Sequence, residues 1–358
     1  MALPAMPQAS NKTSKPSRTA LLTEGGAAHV NFYLEALAKA PEAGSVSLCD
    51  PSGESFADAQ KILGAKLTGT YGNAQELLRK ERPFLALVSM EAVNSPPVID
   101  AALDSGCHVM AEKPACVRVD DFERLNQKAK ARHLHLMLAL ANRVDPFFVE
   151  ARRIVREGKI GNVYGMELHL VADQTRLTSL AYHKSWFAQK ARAGGGHLIW
   201  LGIHWLDLAM FITGSAIRMV AGFTTNAGGQ PLDVEDSAAL ALEMENGSLG
   251  TLVSGYYLDK GYHSHLKIWG SRGWLRVQKH PEAPLEWYST LEAAPQVRRW
   301  EPPQRDLAAP YSMFVRAVVR AALGLELPPL TGDESLVALK TVFACYQAAA
   351  TGRTQRIS

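Results

Sequence analysis

The chain of 358 residues is poor in the features that mark several protein classes. It has four cysteines, Cys49, Cys107, Cys116 and Cys345, and no Cys-x-x-Cys spacing. A disulfide framework is therefore not expected, and a reduced, cytoplasmic setting is the simple reading. No uninterrupted run of 18 apolar residues occurs, so no membrane span is expected. The net charge is +3 with the two signs interspersed. Without a basic stripe, nucleic acid is not an expected partner. His263 and His265 alternate along one strand, but no third ligand accompanies them, and no metal site is expected. There is no internal repeat. What is present is core material: 47% hydrophobic and 20% charged residues. That length and composition fit a globular protein of two domains. Residues 1–17, rich in Pro, Ser, Lys and Ala, lack the apolar core of a secretory signal and read as a flexible tail.

From Thr19 to Ala139 short apolar runs alternate with amphipathic stretches. Strands are expected at 19–22, 45–49, 84–88, 108–112 and 135–139. Between them lie helices through Phe32–Leu37, Glu54–Leu63, Ala74–Arg79, Ser95–Ser105 and Asp120–Arg132. Ser95 reads as a cap followed by Pro96 and Pro97, and Asp120 with Glu123 reads as a capping box. This alternation predicts parallel βαβ units and a doubly wound Rossmann sheet over 18–140. After a boundary near Ala141 the pattern changes. Asp145-Pro146 starts a helix that Gly158 stops. Tyr164–Leu170 alternates as a half-buried strand, and further strands are expected at 219–225, 237–244, 249–257, 265–269 and 274–277, with Asn246-Gly247 as a hairpin turn. A mostly antiparallel, open-faced sheet with helices on one side is predicted for 141–358, so the fold class is α/β followed by α+β. The last helix, Glu334–Thr351, ends at Gly352 and can pack back on the first domain. The uncovered sheet face predicts a homo-oligomer, a dimer or tetramer.

The first strand–turn–helix carries Thr23-Glu24-Gly25-Gly26-Ala27-Ala28 where a dinucleotide fingerprint of Gly-x-Gly-x-x-Gly/Ala belongs. Gly25, Gly26 and Ala28 fit it, while Thr23 replaces its first glycine. Asp50 ends the second strand, close to the spacing at which a carboxylate receives the adenine ribose hydroxyls. No arginine follows in Pro51-Ser52-Gly53 to receive a 2′-phosphate, so NAD is favoured over NADP. Ser89, at the end of the third strand, joins this set of cofactor contacts.

Two further blocks carry chemistry. One is Gly106-Cys107-His108-Val109-Met110-Ala111-Glu112-Lys113-Pro114. The other is Gly194-Gly195-Gly196 followed by His204 and Asp207. Together they resemble the glucose-fructose oxidoreductase / inositol dehydrogenase (Gfo/Idh/MocA) family, over nearly the whole chain from about Arg18 to Ser358. The resemblance implies that Glu112 and Lys113 lie beside the nicotinamide ribose and that Lys113 touches substrate. A cation at a reacting hydroxyl lowers that hydroxyl's pKa. It also implies His204 at the substrate, as the best general acid/base, and Arg143 near the cofactor pocket. Where the family pattern has an aspartate, this chain has Trp200, which stacks on a sugar ring or an aromatic aglycone rather than anchoring a hydroxyl. His183, Trp186 and His197 are further candidates for substrate contact, and Asp207 reads as structural. The implied activity is an NAD-dependent oxidoreductase acting on a secondary hydroxyl of a sugar, cyclitol or glycoside. Two alternatives stay open: a non-catalytic, nucleotide-sensing binding protein of the same fold, and an NAD-using glycosidase.

Overall fold

A computed structural model describes residues 17–175, 177–278, 284–302 and 309–357. The tail read over 1–17 lies outside them except for Ser17, which opens the first strand. The N-terminal half alternates β1 (Ser17–Thr23), α1 (Val30–Lys39), β2 (Ala43–Cys49), α2 (Phe56–Leu63), β3 (Leu67–Tyr71), α3 (Ala74–Glu81), β4 (Leu85–Ser89), α4 (Ser95–Asp104), β5 (His108–Ala111), α5 (Val119–Ala131) and β6 (Leu136–Leu138). Their six strands form one parallel sheet in the order β3-β2-β1-β4-β5-β6. The central strands are buried on both faces, with Leu21, Leu48, Leu87 and Val109 fully enclosed, which is why they read as continuous apolar runs. The order reverses beside β1, so the carboxyl ends of β1 and β4 open a crevice suited to a nucleotide.

Two caps differ from expectation. Asn94, not Ser95, caps α4, and its side chain is engaged elsewhere, by Glu24. Arg118 caps α5 without a side-chain bond. Asp120 and Asp121 act there only as first-turn charges on the helix dipole, and Glu123 pairs with Lys340 at 3.1 Å.

The second half begins with α6 (Pro146–Arg156), where Asp145 caps by accepting from the Phe147 amide at 3.0 Å. Then come β7 (Val163–Asp173), α7 (Ile203–Thr213), β8 (Ile217–Thr225), β9 (Ser237–Met244), β10 (Leu249–Leu258), β11 (Tyr262–Gly270), β12 (Gly273–Gln278), β13 (Leu285–Ser289) and β14 (Arg298–Arg299). The chain closes with α8 (Pro310–Ala322), α9 (Gly332–Thr351) and β15 (Gln355–Arg356). The nine strands order as β14-β13-β12-β11-β7-β10-β9-β8-β15, antiparallel except where β10 runs parallel to β7. The stretch 190–213, broken at Gly194–Gly196 and ending in α7, has the length and hydropathy of a membrane span, but 94% of its 18-residue apolar window is buried inside the protein. α7 is the central helix of this domain, covering one sheet face.

The last two helices return to the first domain. Asp333 accepts from Asn126 at 2.7 Å, and the Ser335 hydroxyl accepts from the Leu138 amide at 3.2 Å. Tyr311, on α8, reaches the α1 turn. Two domains built from distant parts of the chain are thus held around one cleft. All four cysteines are buried and unpaired.

Candidate active site

The cofactor end forms at the β1–α1 turn. Gly26 sits at φ +71°, a region costly for any residue with a Cβ. A Cβ on Gly25 would stand 3.0 Å from both the Glu54 carboxylate and the Ser52 hydroxyl. Thr23 needs no glycine conformation, because its hydroxyl points away from the turn and donates to the Ser89 carbonyl at 2.8 Å. The Ser89 hydroxyl donates to the Ala28 carbonyl at 2.5 Å, so Ser89 braces the turn from behind. Glu24 swings aside, accepting from the Glu91 amide at 2.6 Å and from Asn94 at 3.0 Å. Beside the turn lies a cavity of about 360 Å³ lined by Gly25, Gly26, His29 and four carboxylates, Glu24, Asp50, Glu54 and Asp58.

Asp50 is in place but already engaged. One oxygen accepts from the Ser52 amide and hydroxyl at 2.9 and 2.7 Å, the other from those of Ser55 at 3.0 and 2.5 Å. Burial pushes its carboxyl up, and the four serine donors outweigh that and hold it below the usual carboxylate range.

The reacting end starts where β5 stops. Glu112 is buried, and its oxygens receive His29 Nδ1 at 2.8 Å, the Lys113 amide at 3.0 Å and the Tyr33 hydroxyl. Burial would raise its carboxyl; the charges of His29 and Lys113 and these donors pull it down to about 2 instead. The Lys113 ammonium, 3% exposed, donates to the Trp200 carbonyl at 2.8 Å, lies 3.7 Å from Glu112 Oε1 and sits 4.4 Å above the Trp200 ring. Lys113 thus crosses the domain junction, fixed by a carboxylate on one side and an indole on the other.

Trp200 lies in a π-turn, Leu198–Gly202, that leads into α7. The preceding glycines are there for close approach: a Cβ on Gly195 would fall 2.1 Å from the Tyr346 hydroxyl, and one on Gly196 1.9 Å from the Glu235 carbonyl. Glu235 clamps the segment, accepting from the Gly196 and Leu198 amides at 2.8 and 2.9 Å and from Tyr346 at 2.8 Å. One turn on, His204 faces the same cavity as Lys113 and Trp200. That cavity, about 360 Å³, is walled by Tyr182, Phe187, Trp205, Tyr256, Tyr262 and Tyr311, with His29, Ala28 and Asn142 at its rim. No carboxylate lines it among the described residues.

Lys113, Trp200 and His204 therefore meet, and Gly25, Gly26 and Asp50 line the neighbouring cavity. Other expected contacts fall elsewhere. Arg143 is not at the cofactor cavity: its Nε and one amino group hold Asp207 at 2.9 and 2.7 Å, and the other holds Glu334 at 2.6 Å. All three guanidinium nitrogens bond these two carboxylates, and Arg143 lines neither cavity. His183 faces the Leu177 carbonyl at 2.5 Å. His197 pairs through Nδ1 with Ser254 at 2.8 Å and meets the Tyr256 ring edge-on. The π-turn between His197 and His204 breaks the 3.6-residue register that would have put both on one face. Trp186 donates to the Gly26 carbonyl at 3.0 Å and packs edge-on against Trp200, tying the second domain to the nucleotide turn. Sequence reasoning missed His29, which lines both cavities, and the tyrosines. The position of His29, next to Ala28 of the fingerprint, was a readable signal. Nothing local marks Tyr311.

Residues 25–140 match the family described as "Oxidoreductase family, NAD-binding Rossmann fold", and residues 148–276 match the "GFO/IDH/MocA C-terminal domain". Over 272 residues the chain is 27% identical to the D-glucoside 3-dehydrogenase of Escherichia coli, covering 69% of this chain and 72% of that one. An oxidoreductase domain protein from Kribbella flavida shares the fold with a TM-score of 0.84 at 22% identity, over 96% of this chain and all of that one. A levoglucosan dehydrogenase solved with NADH and L-sorbose does so with a TM-score of 0.83 at 17% identity, over 96% and 99%. With its parallel nucleotide-binding sheet, its lysine at the end of β5 and its mixed second sheet, the chain belongs to the Gfo/Idh/MocA family of oxidoreductases.

Proposed function

We propose that the protein is an NAD-dependent dehydrogenase acting on a secondary hydroxyl of a glycoside or related sugar. The carrying observation is convergence: Lys113 from the first domain and His204 from the second line a single cavity, and His29 joins that cavity to the one at the fingerprint turn. Gly25, Gly26 and the neighbouring residues fit a dinucleotide there, and NAD, when bound, supplies the hydride acceptor. Lys113 holds the reacting oxygen and stabilises the alkoxide character that grows on it. His204 takes or gives the proton. The ring of Glu24, Asp50, Glu54 and Asp58 repels a 2′-phosphate, which supports NAD over NADP.

The substrate wall supports the glycoside part of the reading. A neutral polyol is usually gripped by carboxylates that accept from its hydroxyls. Here Trp200 and a set of tyrosines offer apolar faces and hydroxyls instead. The test is a panel of free sugars and aryl glycosides, each with NAD and with NADP, followed by growth of nicotinamide absorbance. Turnover is expected with NAD, at least tenfold weaker with NADP, and better with aryl glycosides than with free sugars. NAD bound but never reduced across the panel would favour a nucleotide-sensing binding protein.

The open face of the second sheet exposes Phe223, Leu249, Val253 and Tyr257, while their strand neighbours Val220, Leu240 and Leu252 point inward. Contiguous apolar surface of this kind is ordinarily covered. A homo-oligomer closed over this face accounts for it. Sedimentation should give two or four times the 39.0 kDa chain mass; a single species at 39.0 kDa would rule the assembly out.

A further inference from the structure

The four carboxylates that line the cavity at the fingerprint turn are not equivalent. Asp50 stands at the sequence spacing for a ribose contact, yet it is only 1% exposed. Its two oxygens already accept four bonds, from the amides and hydroxyls of Ser52 and Ser55. A carboxylate has about four lone-pair sites, and here its own turn takes them all. A ribose hydroxyl arriving at Asp50 would displace a serine donor, exchanging one hydrogen bond for another with little gain. Glu24 is engaged by the Glu91 amide and Asn94, and Asp58 accepts from Asn31 at 3.2 Å.

Glu54 is the exception. It is exposed, and among the described residues no group bonds its carboxylate. Its position follows from the turn wound around Asp50. Gly53, at φ +72°, donates to the Asp50 carbonyl at 3.0 Å, and the Glu54 amide donates to the Ser52 hydroxyl at 3.2 Å. Ser55 then caps α2. This turn folds back on the β1–α1 turn: Glu54 Oε2 stands 3.0 Å from where a Cβ on Gly25 would be. An unengaged acceptor thus lies against the second glycine of the fingerprint, at the adjoining ends of β1 and β2, where the adenosine half of a dinucleotide rests in a doubly wound sheet.

We propose that Glu54, rather than Asp50, is the carboxylate that receives the adenine-ribose hydroxyls of NAD, and that Asp50 is the post holding Glu54's turn. The proposal rests on reading this cavity as the NAD site and names the residue that sets its cofactor preference. Glu54 accepts from the free 2′-hydroxyl of NAD in a charge-assisted bond and repels the 2′-phosphate of NADP.

The experiment is calorimetric titration of wild type, Glu54→Gln and Glu54→Ala with NAD, NADP, ADP and 2′-deoxy-ADP. Wild type should bind ADP about tenfold more tightly than 2′-deoxy-ADP, the worth of one hydrogen bond to a charged acceptor. That ratio should fall to about threefold in Glu54→Gln, which keeps a neutral acceptor, and vanish in Glu54→Ala. In Glu54→Ala, NAD should bind about tenfold more weakly and NADP no more weakly than in wild type. Because the side chain is exposed and unengaged, both variants should melt with wild type, which separates a lost contact from a damaged turn. Three results would overturn the assignment: an ADP to 2′-deoxy-ADP ratio that is absent in wild type or survives in Glu54→Ala, equal losses for NAD and NADP, or tighter NAD binding in either variant. Wild type that takes up neither NAD nor ADP would overturn the cofactor reading beneath it.

Discussion

Lys113→Met should lower kcat about 10³-fold while leaving NAD binding within a factor of about two. Methionine fills the same volume without a charge, so the loss isolates what the ammonium does. In an enclosed site a fixed cation at the reacting oxygen is worth far more than in water, and removing one such donor costs about 10²–10³ in turnover. The fold has little reason to fail. Glu112 keeps His29, Tyr33 and the Lys113 amide as partners, so no buried charge is orphaned. The Trp200 carbonyl loses a donor. Lys113→Arg should not rescue, because a planar guanidinium fork does not take the place of a compact ammonium between Glu112 and the Trp200 ring. The measurement is single-turnover formation of reduced nicotinamide with a substrate found in the panel, alongside NAD titration. Unchanged turnover in Lys113→Met would remove the amine from the chemistry.

Why Lys113 was readable and its surroundings were not comes down to range. The parallel strands are legible because both of their faces are buried, so Leu21–Leu22, Leu85–Val88 and Val109–Ala111 are apolar without interruption. β3 escaped notice because Leu67-Thr68-Gly69-Thr70-Tyr71 is an edge strand, half exposed and polar at alternate positions. The two short strands β13 and β14 lie in a segment without clear alternation. In the site, Lys113 and His204 announce themselves through the glycines and strand ends around them, which exist for local backbone reasons. The glycines before Trp200 are needed because Glu235 and Tyr346 press against that segment. The cavity wall depends on packing across the chain: Tyr311 meets His29 over 282 residues of sequence, and no local pattern encodes that meeting. Trp200 could be identified as a departure from the family pattern, but its service as a platform for Lys113 is visible only in three dimensions.

Arg143, which family resemblance placed near the cofactor pocket and the fold bonds to Asp207 and Glu334, supplies the largest expected effect on stability. Arg143→Met should destabilise the protein by about 3–5 kcal/mol, because it leaves the buried Asp207 carboxylate without its cation. For a protein of this size that corresponds to a Tm lower by roughly 5 °C. The NAD affinity of the surviving folded protein should be unchanged, since the guanidinium serves Asp207 and Glu334 rather than the cofactor cavity. The sign of the pH dependence follows from linkage. Burial already pushes the Asp207 carboxyl above its ordinary value of 3.8, with Arg143 pulling it back. Without Arg143 the folded-state value climbs further, while the unfolded chain keeps an ordinary aspartate. The folded variant then holds a proton that the unfolded chain releases, so its stability is greatest below the ordinary aspartate range and is lost as pH rises through the folded value. Denaturant melts at pH 5 and pH 8 should show the larger deficit at pH 8. The double variant Arg143→Met with Asp207→Leu should regain part of the loss, because it removes the stranded charge along with its partner. A weaker NAD affinity with an unchanged melting temperature would return Arg143 to the cofactor site.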